Sequence, residues 1–161
     1  MQTKAHTFSY EVYDSAEDLA KEDAVLLNNA KMVTRDAYAP YSRFRVGAAA
    51  RLQNGAIVTG TNQENASFPA GICAERTLLS TASSLYSGMP IDALAISYDN
   101  DNGPSDRPIS PCGICRQSLQ EFEHRTRKPI RLILGGQRGP VYVIPQAGFL
   151  LPFGFTAEEL E

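Results

Sequence analysis

Ile72-Cys73-Ala74-Glu75-Arg76-Thr77 and Ser110-Pro111-Cys112-Gly113-Ile114-Cys115-Arg116-Gln117 decide how this chain is read, and between them they hold its three cysteines. Zinc is usually four-coordinate: a closed set of protein ligands marks a structural site, and three ligands with one open position mark catalysis. The chain has no fourth cysteine, and its two histidines are unpromisingly placed, His6 near the start of the chain and His124 nine residues past Cys115. Cys73, Cys112 and Cys115 are therefore read as ligands of one Zn²⁺ that also holds a water, with Glu75 as the carboxylate that carries the proton.

Local sequence supports converging helices. Ala74-Glu75-Arg76-Thr77-Leu78-Leu79 is strongly helical in composition, so Cys73 is expected to open a helix that runs to about Tyr86 and stops at Gly88. Ser110-Pro111 is expected to supply an N-cap and a proline at the first helical position. Cys112 and Cys115, three apart, then share a helix face. Two helix N-termini pointed at one ion help keep thiols deprotonated. Three thiolates leave the site with net negative charge, which Arg76 and Arg116, each adjacent to a ligand, are placed to offset in part. A surface or structural ion pair is the other reading of each arginine.

Plainer readings exist for the cysteines as well. Free cysteines can be small buried residues, and a lone Cys-x-x-Cys can be redox-active. Cys-x-Glu followed by Pro-Cys-x-x-Cys is more specific, and it is the pattern of the zinc deaminases in their all-cysteine form.

With these residues quoted, the chain resembles the small cytidine deaminases of pyrimidine salvage. The resemblance begins at Ala37-Tyr38-Ala39-Pro40-Tyr41-Ser42-Arg43-Phe44-Arg45-Val46-Gly47 and continues through Asn62-Gln63-Glu64-Asn65-Ala66-Ser67. It takes in both cysteine segments and ends at Leu150-Leu151-Pro152-Phe153-Gly154-Phe155. Residues 1–14 are an unmatched N-terminal arm, longer than the family pattern, in a chain otherwise expected to be one domain over 1–161.

The resemblance implies an α/β fold, a three-layer α/β/α sandwich with a mixed five-stranded sheet. It implies hydrolytic deamination of cytidine and 2′-deoxycytidine to uridine and 2′-deoxyuridine with release of ammonia. In that reaction Glu75 moves a proton to N3 of the base while hydroxide attacks C4, then a second proton to the leaving amine. Asn62 and Glu64 match the pair that grips the ribose 3′-hydroxyl, and Phe44 matches the aromatic that packs on the pyrimidine. Phe155 matches an aromatic that reaches a neighbouring subunit's site in a homotetramer, and Phe68 sits where another pocket aromatic often stands. Without the resemblance, Asn62 to Asn65 is equally a polar loop and Phe44 an ordinary core residue. A carboxylate at Glu64 suits a neutral nucleoside and repels a phosphorylated one.

Composition bounds the alternatives. A chain of 161 residues, 43% hydrophobic and 20% charged, is long enough to bury a real core. A net charge of −3 speaks against a dedicated nucleic-acid binder. The one basic run, His124 to Lys128, reads as a solvated helix C-terminus. No apolar stretch approaches a membrane span, Met1 to Lys4 lacks the apolar core of a signal peptide, and thiolate ligands suit a reducing compartment, the cytoplasm.

Further along the chain, Ser15 is expected to cap a helix reaching about Tyr38. Strands are expected at Val46 to Leu52 and Ala56 to Gly60, joined at Asn54-Gly55. Others are expected at Ala93 to Ser97, Ile130 to Leu134 and Val141 to Ile144, and Thr7 to Tyr13 reads as an extra strand or extended arm. Two further functions stay open beside the deaminase: action on a modified cytosine nucleoside such as blasticidin S or on polynucleotide, and a structural zinc domain whose fourth ligand is His6, His124 or a carboxylate.

Overall fold

Alternation in the central strands sets the layers. In a strand successive side chains point to opposite faces, and Ala48 and Ala50 pack on one side of the sheet while Ala49 packs on the other. The next strand does the same, with Leu94 and Ile96 on the first side and Ala93 and Ala95 on the second. Small alanines on the second side let one helix approach closely.

A computed structural model describes residues 1–160. Its main elements in chain order are β1 (Glu11–Tyr13), α1 (Lys21–Val33), β2 (Phe44–Leu52), β3 (Ile57–Thr61), α2 (Ala74–Leu85), β4 (Ile91–Asn100), α3 (Gly113–Thr126), β5 (Arg131–Gly135) and β6 (Val141–Ile144). The strands form one mixed sheet in the order β1-β6-β5-β4-β2-β3. Only β4 and β5 pair in parallel, and α3 is the crossover between them. Helix α1 covers one face through Leu26, Leu27 and Ala30. Helices α2 and α3 cover the other through Leu78, Leu79, Ala82, Leu119 and Phe122. Full burial of a side chain such as Leu78 stabilises the fold by about 1.5–3 kcal/mol. The layers are therefore the α/β/α sandwich expected. No helix among the described residues is long and apolar enough to cross a membrane.

The sheet has six strands among the described residues, where five were expected. The extra one is β1, at the end of the N-terminal arm, which pairs antiparallel with β6 as Glu11 with Val143 and Tyr13 with Val141. Aromatic contacts extend the attachment, with Phe8 5.7 Å from Phe149 and Tyr10 5.2 Å from Tyr142 between ring centroids.

Two helix starts also differ from expectation. Ser15 does close a capping box with Asp18, but it caps one 3-10 turn, Ala16–Asp18, after which Leu19 and Ala20 are extended. Leu19 turns into the core beside Leu26, and α1 proper begins at Lys21 and ends at Val33 rather than near Tyr38. At the second cysteine segment Ser110-Pro111 lies outside the helix, and Cys112 itself is the N-cap of α3. The Pro111 carbonyl accepts a bond from the Arg116 side chain, Nε to O 2.9 Å, which holds the segment in its approach to the helix.

Two glycines fix how the helices sit. A side chain at Gly47 would overlap the Ala30 carbonyl oxygen and come within 2.9 Å of Val33 Cγ2, so α1 lies directly on β2. One at Gly60 would come within 2.5 Å of both Ala74 O and Leu78 N, so α2 lies directly on β3. On the α1 side the buried Asp23 takes both terminal nitrogens of Arg131 at the start of β5, the Nη1 contact being 2.9 Å.

Candidate functional site

Cys73 and Cys112 are the N-cap residues of α2 and α3, and Cys115 lies one turn into α3. Docking both helices on the same sheet face brings the three thiols together. Cys73 Sγ is 3.8 Å from Cys112 Sγ, and Cys112 Sγ is 3.5 Å from Cys115 Sγ. Tetrahedral ligands at a Zn–S distance of about 2.3 Å stand about 3.8 Å apart, so the spacing fits one zinc ion. Among the described residues the cluster able to share an ion consists of these cysteines alone. His124 instead lies 3.7 Å from Glu158, and His6 is exposed in the arm. The closed-site reading therefore lacks its fourth ligand.

Within the trio a proton is easily lost. The Cys73 thiol is drawn down to about 6, chiefly by a hydrogen bond from Cys115 and against the cost of burial. Cys115 is pushed up for the matching reason, since it keeps the proton it donates. Glu75, in the first turn of α2, is only 4% exposed. Burial is what raises its pKa, with opposing hydrogen bonds from its own backbone N–H and from Cys115. A buried carboxyl with a raised pKa, beside a metal-sized trio of thiols, is suited to taking up and returning a proton.

A cleft of about 550 Å³ reaches Cys73 and is lined by Tyr41, Ser42, Asn62, Glu64, Phe68 and Ile72 among others. Its wall is built by backbone pairing: Tyr38 N donates to Asn62 O, Glu64 N to Tyr38 O, and Gln63 and Ile72 exchange both bonds. Asn62 accepts from Val46 N at 2.7 Å and donates to Phe44 O at 2.9 Å, which leaves one amide hydrogen for another acceptor. Glu64 Oε2 accepts the N–H groups of Tyr41 and Ser42, at 2.9 and 3.2 Å, leaving Oε1 without a partner in that network. The Ser42 side chain first, and then those two backbone N–H groups, hold the Glu64 carboxyl below its ordinary value.

Other expected site residues fall outside this cleft. Phe44 stacks on Tyr98 with centroids 4.9 Å apart and does not line the cleft. Phe155 is exposed on the C-terminal segment, its carbonyl accepting from Gln117. Arg116 donates to Pro111 O and Leu150 O, so its guanidinium is taken up by backbone carbonyls. Arg76 stands close enough to Cys73 to lower its pKa slightly and also lines a groove with Ser80, Ser83 and Arg125. Phe68 does line the cleft, in edge contact with Tyr41. Tyr41 and Ser42 received no role from sequence; their signal was the Tyr-Ala-Pro-Tyr-Ser run. A larger cleft of about 760 Å³ between α3 and the C-terminal residues contains none of the cysteines and belongs to no chemistry described above.

Residues 20–128 match the family described as the cytidine and deoxycytidylate deaminase zinc-binding region. The chain belongs to the zinc-dependent cytidine deaminases. The deaminase is 40% identical over 136 residues to the cytidine deaminase of Halalkalibacterium halodurans, covering 84% of this chain and 96% of that one. It is 36% identical to the cytidine deaminase of Sporosarcina psychrophila, covering 84% and 92% of the two chains. The crystal structure of the cytidine deaminase from Burkholderia pseudomallei superposes with a TM-score of 0.72 at 36% identity, over 85% of this deaminase and all of that chain.

Proposed function

We propose that this deaminase converts cytidine and 2′-deoxycytidine, with water, to uridine and 2′-deoxyuridine plus ammonia, in pyrimidine salvage. One observation carries the reading: three thiols at zinc spacing, with the buried Glu75 beside them, meet through Cys73 a cleft whose rim retains unused polar capacity at Asn62 and Glu64.

Cys73, Cys112 and Cys115 would hold zinc, which when bound supplies the Lewis acidity that makes water a nucleophile at neutral pH. Glu75 takes the proton from the attacking water and delivers it to N3 of the base as the new C4–O bond forms. Glu75 then takes the proton of the new C4 hydroxyl and passes it to the exocyclic amine, and as the C4–N bond breaks the C4 oxygen becomes the carbonyl and ammonia leaves. Burial supports both transfers: by raising the Glu75 pKa it makes the carboxylate a better proton acceptor and brings it closer to the operating pH, where one group can take up a proton and hand it on.

The remaining amide hydrogen of Asn62 and the free oxygen of Glu64 are offered to the ribose hydroxyls, and Phe68 to an apolar edge of the ligand. Phe44, stacked on Tyr98, acts on the base only after a side-chain rearrangement or through its backbone. Phe155 completes the site from a neighbouring copy in a homotetramer; its exposure, with that of Phe68 and Phe153, is consistent with a surface that another copy covers. Arg76 and Arg116 temper the charge of the thiolates, Arg116 at longer range. The protein works in the cytoplasm as one domain that includes the N-terminal arm.

The test is loss of ultraviolet absorbance from cytidine with zinc-loaded protein, run beside CMP, cytosine and blasticidin S. Turnover of cytidine but not CMP is expected. Turnover of blasticidin S alone moves the assignment to a modified nucleoside, and no turnover of any of them overturns it.

A further inference from the structure

Helix α3 carries more than two metal ligands. Arg116, Gln120 and Glu123 recur at helical spacing, and each meets the backbone or small residues of the segment from Ala147 to Phe155. Glu123 accepts the N–H groups of Ala147 and Gly148, both at 3.0 Å. Arg116 Nη1 donates to Leu150 O at 3.0 Å. The carboxamide of Gln120 lies under Gly154, where any side chain would overlap its oxygen. Gln117 Nε2 closes the series by donating to Phe155 O at 2.7 Å.

Between the Leu150 and Phe155 anchors the chain makes a tight turn. Gly154 N donates to Leu151 O at 3.1 Å, with Pro152 and Phe153 in the central positions. Phe153 has φ 59°, in the left-handed region. That turn places a glycine preference on a phenylalanine, so the local sequence alone does not favour the geometry, and the bonds to α3 supply what holds it.

We infer that Arg116 and Gln117 are positioning residues that lock the C-terminal segment to the metal-site helix, so that the exposed Phe155 ring is presented to a cytidine site from a rigid base. Arg116 does this from both sides, since Nε holds the carbonyl of Pro111, the residue before Cys112. The register of a metal ligand and the register of the segment are thereby set by one guanidinium. The inference rests on the proposed deaminase reading and on Phe155 acting at a substrate site.

A double-mutant cycle tests it. Gln117→Leu removes the donor at a partly exposed helix position while keeping helix propensity. The expected result is a KM for cytidine raised about 3- to 10-fold, the loss of one hydrogen bond, with kcat and zinc content unchanged. Phe155→Ala raises KM as well, and adding Gln117→Leu to it changes KM less than about twofold, because residues acting through one another are not additive. Independently of turnover, hydrogen exchange at the amides of 151–155 accelerates in Gln117→Leu and in Arg116→Lys. Full multiplicativity of the two KM effects, an unchanged KM in Phe155→Ala, or unaltered exchange overturns the inference. Absence of cytidine turnover in the unmutated protein overturns the functional reading instead, and the exchange result then decides the clamp alone.

Discussion

The Tyr41 N–H donates to the Glu64 carboxylate across 2.9 Å and joins two loops that are distant in sequence at the rim of one cleft. Ser42 adds a second bond to the same oxygen. The carboxylate thus shapes the rim as well as offering an oxygen to a ligand, and its ionisation should govern both.

Because the folded-state pKa of Glu64 lies below its ordinary value of 4.5, the contact is intact above 4.5 and is lost as the pH falls through the lower, folded-state value. The expected result is that Glu64 contributes nothing to the pH dependence of cytidine KM between pH 5 and 8, about the range where only unperturbed histidine titrates. Glu64→Gln keeps the shape but weakens the acceptor, and should raise KM at every pH. A Glu64→Gln effect that vanishes at neutral pH contradicts this account.

Glu75→Gln should lower kcat by about 10²- to 10⁴-fold, the range of a lost acid–base group, with metal content and melting temperature unchanged. Cys115→Ser should lose zinc and activity together. Metal analysis beside single-turnover kinetics separates the two. Substantial turnover in Glu75→Gln would remove that residue from the reaction.

Gly47→Ala and Gly60→Ala each force a helix off the sheet against backbone atoms, and each should destabilise the fold by about 1–3 kcal/mol in chemical denaturation. Their effects on the metal should differ. Gly60 lies under Ala74, between Cys73 and Glu75, so its substitution should also weaken zinc retention against a competing chelator. Equal zinc retention in the two variants would show that α2 shifts without disturbing its first turn.

Removal of residues 1–14 takes away β1 and the contacts of Phe8 and Tyr10 with Phe149 and Tyr142. Two aromatic pairs at about 0.5–1.5 kcal/mol each give an expected loss of about 1–3 kcal/mol, read as a lower melting temperature. The cleft and the cysteines lie elsewhere, so kcat for cytidine should stay within about twofold.

The cysteine spacing was legible because helix periodicity and metal geometry act over a few residues. Asn54-Gly55 marked its hairpin and Val141 to Ile144 its strand for the same reason. Ser15 misled because its capping box is satisfied inside a single turn, and only the pull of Leu19 into the core ends that turn. Ser110-Pro111 misled because a side chain six places from Ser110, Arg116, competes for the Pro111 carbonyl. The bonds of Asn62 and Glu64 to the 41–46 backbone depend on loops that meet only in the folded chain, and the aromatic tail depends on what faces it. Such pairings leave no periodic trace.

Asp23 and Arg131, 108 residues apart, bear on how the protein is made. Chains are synthesised at about 5–20 residues per second, so the buried acid on α1 emerges about 5–20 seconds before its arginine exists. During that interval α1 cannot complete its seat on the sheet, and its apolar face of Leu26, Leu27 and Ala30 is open to other partners. Arrival of β5 closes that interval, and it does so just after the last metal ligand has been made.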